Sequence, residues 1–149
     1  MKPTQTFLMT ALLAGALATF TALAQTTPNS ADEWVVPARA EKKKNPVATE
    51  DTSLAKGKAL YTKECLSCHG PAGKGDGPAV KDLEKKPGDL SDPKLWEQTD
   101  GALFFKITEG RRPMPSMEKA FTEDERWLVI NYVRTFAPKP GNKIHNAGK

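Results

Sequence analysis

The chain has 149 residues, a formal net charge of +4, 38% hydrophobic and 7% aromatic residues, and only two cysteines. That is length for one small domain, with too little apolar material for a large core and too few cysteines for a disulfide framework. The lysines are dispersed and no aromatic-interleaved basic patch occurs, so nucleic-acid binding finds no support.

Residues 1–24 read as a cleaved Sec signal peptide. Lys2 supplies the positive start, residues 7–23 are rich in Leu and Ala, and Ala22-Leu23-Ala24 offers an A-x-A cleavage site before Gln25. An uncleaved membrane anchor is the alternative, but Thr10, Gly15, Thr19 and Thr21 interrupt the apolar run. No second apolar run approaches membrane-spanning length. Export points to a bacterial periplasm. Loss of Lys2 lowers the formal charge to about +3, a mildly basic balance suited to partners with an acidic docking face or to an anionic surface.

Residues 25–51 form a leader carrying Pro28, Pro37, Pro46 and the run Lys42-Lys43-Lys44. It is either a solvated linker or a segment that wraps the domain through Trp34-Val35-Val36, its one apolar cluster. A tryptophan in a free linker is unusual, which favours docking.

The domain proper is expected over residues 52–138. Ser53 is the candidate N-cap of a first helix, with Leu54, Gly57, Tyr61 and Cys65 on one face. Gly57 inside a helix costs about 1 kcal/mol relative to alanine, so a second backbone is expected to come close there.

Cys65-Leu66-Ser67-Cys68-His69 follows, and C-x-x-C-H is the attachment signature of c-type haem. On a helical turn Cys65, Cys68 and His69 share one face. The two thiols can then add to the haem vinyl groups while the imidazole meets the iron. A thioredoxin-like redox pair needs a βαβ context that is absent, and one Cys/Cys/His set is too small for a structural zinc site. A buried haem would also supply apolar surface that this thin core lacks, so folding is expected to depend on it.

Residues 70–92 are rich in Gly and Pro and read as loop. Gly73-Lys74-Gly75 has the wrong spacing for a phosphate loop, and no strand precedes it. A short helix is expected from Asp100 as N-cap to Glu109, ended by Gly110, with Leu103, Phe104 and Ile107 buried. The last helix opens with a capping box, Thr122 at N-cap and Glu125 at N3. Leu128, Val129, Tyr132, Val133 and Phe136 form its apolar stripe, Ala137-Pro138 ends it, and residues 139–149 are a polar tail.

An iron held by His69 leaves a sixth position. Once residues 1–24 are removed, the candidate thioethers are Met114 and Met117, and His145 is the only other histidine. Pro113 and Pro115 frame Met114 in a stiff loop, which favours it over Met117, whereas His145 reads as a surface residue of the tail.

These motifs resemble class I c-type cytochromes of bacteria, with His/Met ligation, over about residues 53–138. The resemblance rests on Cys65–His69 with the following Gly-Pro-Ala-Gly-Lys-Gly-Asp-Gly-Pro, on Ile107-Thr108-Glu109-Gly110, on Met114-Pro115-Ser116, and on Trp127 with Asn131-Tyr132-Val133-Arg134. It implies an all-α fold: a small cytochrome c-like helical domain wrapped around one covalent haem c. The first and last helices would cross near a right angle at Gly57 and Tyr61 against Val129 and Tyr132. It implies Cys65 and Cys68 as haem-binding residues, His69 and Met114 as iron ligands, and the Pro78 carbonyl as acceptor for the His69 Nδ1–H. Trp96, Arg111 and Arg112 are candidate partners of the haem propionates, with exposed arginines and a core tryptophan the equal alternative. The function implied is a monomeric periplasmic one-electron carrier serving redox protein partners, not an enzyme. The alternatives are a tethered cytochrome subunit of a dehydrogenase or oxidase complex, or an open-site haem enzyme or gas sensor.

Overall fold

The computed structural model describes residues 34–137. The signal peptide expected at 1–24 and the tail at 139–149, with His145, lie outside the described residues. Within them the chain is helical, with no strand and one isolated bridge between Arg111 and Met114. The helices are α1 (Ala38–Glu41), α2 (Asp51–Glu64), α3 (Leu66–His69), α4 (Pro93–Trp96), α5 (Asp100–Glu109) and α6 (Glu123–Val133), with 3-10 turns at Pro78–Asp82 and Arg134–Phe136. No helix among the described residues is long and apolar enough to cross a membrane.

Helix α2 starts two residues before the expected Ser53 cap. Ser53 sits at N3, where its hydroxyl accepts from the Glu50 amide at 2.9 Å and donates to the Glu50 carbonyl at 2.8 Å. The serine therefore works from inside the first turn, and Glu50 is the N-cap residue. Helix α5 is also shifted by one. Thr99 caps it by accepting from the Ala102 amide at 3.1 Å, which frees Asp100 for an ion pair with Arg134 at 2.6 Å. The Arg134 guanidinium also donates to the Gln98 carbonyl, so the turn after α6 is tied to the start of α5. In α6 the capping box falls where the spacing places it: the Thr122 amide donates to Glu125 at 2.8 Å, and the Glu125 amide donates to Thr122 Oγ1 at 3.3 Å.

Helix α6 packs against both α2 and α5. Against α2 it meets Gly57, where an added Cβ would lie 2.9 Å from the Leu128 carbonyl carbon, nearer still to its oxygen, and 3.0 Å from Tyr132 Cβ. Tyr61, Met117, Phe121, Val129 and Val133 form one core cluster. Leu103, Phe104, Trp127 and Ile130 form a second, in which Phe104 and Trp127 stack at 4.1 Å. Each fully buried large side chain contributes about 1.5–3 kcal/mol. Because α6 is covered on two sides, it also buries Trp127, Ile130 and Asn131, which lie off the expected stripe, while Leu128 and Tyr132 are only half-buried.

The segment before α2 lies on this helical body. At Gly101 on α5 an added Cβ would lie 2.7 Å from the Lys43 carbonyl oxygen and nearer still to that of Ala40, so only glycine lets the segment come this close. Asn45 donates to Asn131 Oδ1 at 2.8 Å, and Asn131 donates back to the Val47 carbonyl at 3.1 Å. Lys43 pairs with Glu123 at 2.7 Å and lies over the Phe104 ring at 4.1 Å. Three short elements were not foreseen from the sequence: α1 in the leader, the 3-10 turn Pro78–Asp82 in the Gly/Pro-rich loop, and α4, a single turn with Asp92 as N-cap and Pro93 in first position.

Candidate functional site

Cys65 ends α2 and begins α3, with φ −110° and ψ −34°. Its carbonyl accepts from the Cys68 amide at 3.1 Å and the His69 amide at 2.8 Å, which closes the turn that gathers the three side chains. The following loop is laced back onto this turn. Gly75 donates to the His69 carbonyl at 2.9 Å and Gly77 to the Cys68 carbonyl at 3.2 Å. Buried Tyr61 on α2 donates to the Gly70 carbonyl at 2.6 Å, fixing the end of α3 from the core side. The sequence placed Tyr61 on a helix face and at the expected helix crossing; its hydroxyl contact had no local signal.

Cys65, Cys68 and His69 line one cavity of about 280 Å³. Its other walls include Leu90 and Leu95, Ile107 from α5, Met117, and Val129, Ile130 and Val133 from α6. Met114 also lines it, from the turn in which its amide donates to the Arg111 carbonyl at 2.9 Å. The two methionines differ in setting. Met117 is buried in the core cluster with Tyr61 and Val129, and its amide donates to the Ile107 carbonyl at 3.1 Å. Met114 is half-buried and belongs to neither core cluster.

Burial pushes the Cys65 thiol up to about 12, with Glu64 and Cys68 adding to the shift. This is the opposite of the depression that marks an exchange thiol. Burial lowers the pKa of His69, opposed by a hydrogen bond with the Gly88 backbone. Burial likewise raises the Tyr61 phenol, so it stays a neutral donor. His69 Nδ1 is buried and finds no side-chain or carbonyl partner among the described residues, so the contact expected with Pro78 is not formed. A neutral imidazole, two free thiols and apolar walls in one cavity are a donor set that fits a covalently held haem. Among the described residues no group of three or more His, Cys, Asp or Glu side chains is placed to hold a metal ion by itself.

The rim of the cavity is basic: Lys85, Lys86, Lys106, Arg111 and Arg112 line it, with Glu64 as the one carboxylate among the described residues. Trp96 does not line it and lies instead under the Arg134 guanidinium at 5.2 Å. Trp34 does line it, reached by the docked leader. Arg111 lies 4.9 Å from its ring centroid and Lys106 Nζ 5.7 Å. The sequence offered only the oddity of a tryptophan in a leader as a signal for this wall.

Comparison with known proteins agrees with this geometry. No curated protein matches the chain. Among solved structures, a chain of the reducing HAO-like protein complex of Kuenenia stuttgartiensis is 30% identical, with a TM-score of 0.56 over 62% of this chain and 47% of its own. This chain thus spans about half the length of that relative. Cytochrome cL from the marine methylotrophic bacterium Methylophaga aminisulfidivorans is 25% identical, with a TM-score of 0.47 over 58% of this chain and 57% of its own. The cytochrome c family matches residues 54–137, from the first turn of α2 through the C-x-x-C-H turn, the Met114 loop and α6 to just past the 3-10 turn at Arg134–Phe136. The chain therefore belongs to the cytochrome c family, whose members carry covalently bound haem c.

Proposed function

We propose that this chain is a periplasmic one-electron carrier with a single haem c. Cys65 and Cys68 would hold the haem through thioether bonds, and His69 and Met114 would ligate its iron. The observation that carries this reading is the convergence of both cysteines, His69 and Met114 on one cavity with apolar walls. When bound, the haem supplies an iron that cycles between the ferric and ferrous states by one electron. The protein's part is positional. The Cys65–His69 turn presents the imidazole, the Met114 turn presents a thioether that raises the reduction potential, and the apolar walls exclude water. With His69 and Met114 both available to hold a haem iron, no position would be left for a substrate, so the chain would act as a carrier and not as an enzyme. The five cations on the rim would offset the propionates of a bound haem and suit a redox partner with an acidic docking face.

A second reading, as a fixed cytochrome subunit, is supported by similarity to a chain from a protein complex. It predicts a stable assembly on mild purification, whereas a carrier purifies as a monomer.

The test of the carrier reading is acid–acetone extraction of one sample of the purified protein and potentiometric titration of another, kept native. Haem should remain with the polypeptide and titrate as a single one-electron couple. Haem that extracts freely, or two separable couples, would overturn it.

A further inference from the structure

We propose that Trp34 is a positioning residue for the Met114 loop, holding the sixth ligand on the iron from a segment that precedes the family domain. The inference rests on Met114 being that ligand. Trp34 lies ahead of the matched residues 54–137, yet it lines the same cavity as Cys65, His69 and Met114.

The leader is anchored behind Trp34 at three places. Its backbone closes on Gly101, Lys43 pairs with Glu123, and Asn45 and Val47 bond to Asn131. These contacts deliver the indole to the cavity rim between α5 and the loop that follows it. The Arg111 guanidinium then lies 4.9 Å from the ring centroid, within reach of a cation–π contact. Lys106 Nζ lies 5.7 Å from the same centroid. Arg111 is also the residue whose carbonyl accepts from the Met114 amide at 2.9 Å. Trp34 therefore holds the first residue of the turn whose last residue is the ligand. An external ligand can reach the iron only when this turn opens. Its apparent dissociation constant is the intrinsic one divided by the open fraction, so loss of a contact made only in the closed turn tightens external binding.

The test uses the oxidised, haem-loaded protein with imidazole as the external ligand. Trp34→Ala should bind imidazole about tenfold more tightly than wild type, corresponding to about 1.4 kcal/mol. Its red thioether-to-iron band should weaken. Trp34→Phe, which keeps a ring face for Arg111, should restore affinity to within about twofold of wild type. If Trp34→Ala does not mature, Trp34→Leu keeps bulk without a ring face and should show the same tightening. Wild-type affinity in Trp34→Ala or Trp34→Leu would overturn the inference. So would an equal tightening in Trp34→Phe, which keeps a ring face for Arg111. A wild-type protein without the thioether band would overturn the Met114 reading itself, and the inference with it. A normal band that no Trp34 variant perturbs would overturn the inference alone.

Discussion

Gly57 and Leu128 touch backbone to backbone. The position a Cβ would take on Gly57 lies 2.9 Å from the Leu128 carbonyl carbon and closer to its oxygen. Helix propensity and packing thus make opposite demands on this residue. Propensity alone would have Gly57→Ala stabilise α2 by about 1 kcal/mol. The crossing reverses the sign, because the obstacle is backbone and cannot rotate away. Gly57→Ala should lower stability, and Gly57→Leu should lower it by about 1–3 kcal/mol or more through overpacking. Chemical denaturation of the holo protein measures both; a stabilised Gly57→Ala would contradict a close crossing.

Asn131 is the buried polar residue that ties the leader to α6. It accepts from Asn45 and donates to the Val47 carbonyl, with each partner more than eighty residues away in sequence. Asn131→Leu should cost about 1–3 kcal/mol, since the Asn45 amide and the Val47 carbonyl lose their partner. It should also expose the Lys42-Lys43-Lys44 run to trypsin earlier than in wild type. Unchanged digestion and stability would show that the leader is held by other contacts.

Glu125 has its carboxyl held below the usual carboxylate range, first by the hydrogen bond from the Thr122 backbone and then by the Thr122 side chain. A depressed folded value means its contribution is fully present above the ordinary carboxylate range, and is lost as pH falls through the folded value. Wild type should therefore exceed Glu125→Gln in stability near neutral pH, and the gap should close in acid below the folded value. Denaturant midpoints at neutral and acid pH check this. A gap that persists in acid would assign it to hydrogen-bond geometry and not to charge.

Local chemistry made much of the fold legible. The C-x-x-C-H turn and the Thr122/Glu125 capping box are each complete within five residues, so spacing alone places them. The N-caps of α2 and α5 were displaced because neighbouring residues can exchange capping roles. Ser53 acts from N3, and Thr99 takes the cap that Asp100 could have taken. Helix α4 is one turn long and carries no periodicity to read. The docking of the leader depends on Gly101, Asn131 and Glu123, none of which is near it in sequence. In the site, the residues on the C-x-x-C-H turn were legible from the motif. The place of Trp34 on the cavity wall was not, because it depends on that long-range docking.

The identity of the sixth ligand bears most directly on the carrier reading, since both Met114 and Met117 line the cavity. The decisive measurement is the weak red charge-transfer band of the oxidised protein in wild type, Met114→Ala and Met117→Ala. Wild type should show the band. Met114→Ala should lose it, lower the reduction potential and admit carbon monoxide to the reduced iron. Met117→Ala should keep the band and lose only core stability, about 2–5 kcal/mol. A band that survives in Met114→Ala, or is absent from wild type, would contradict the account.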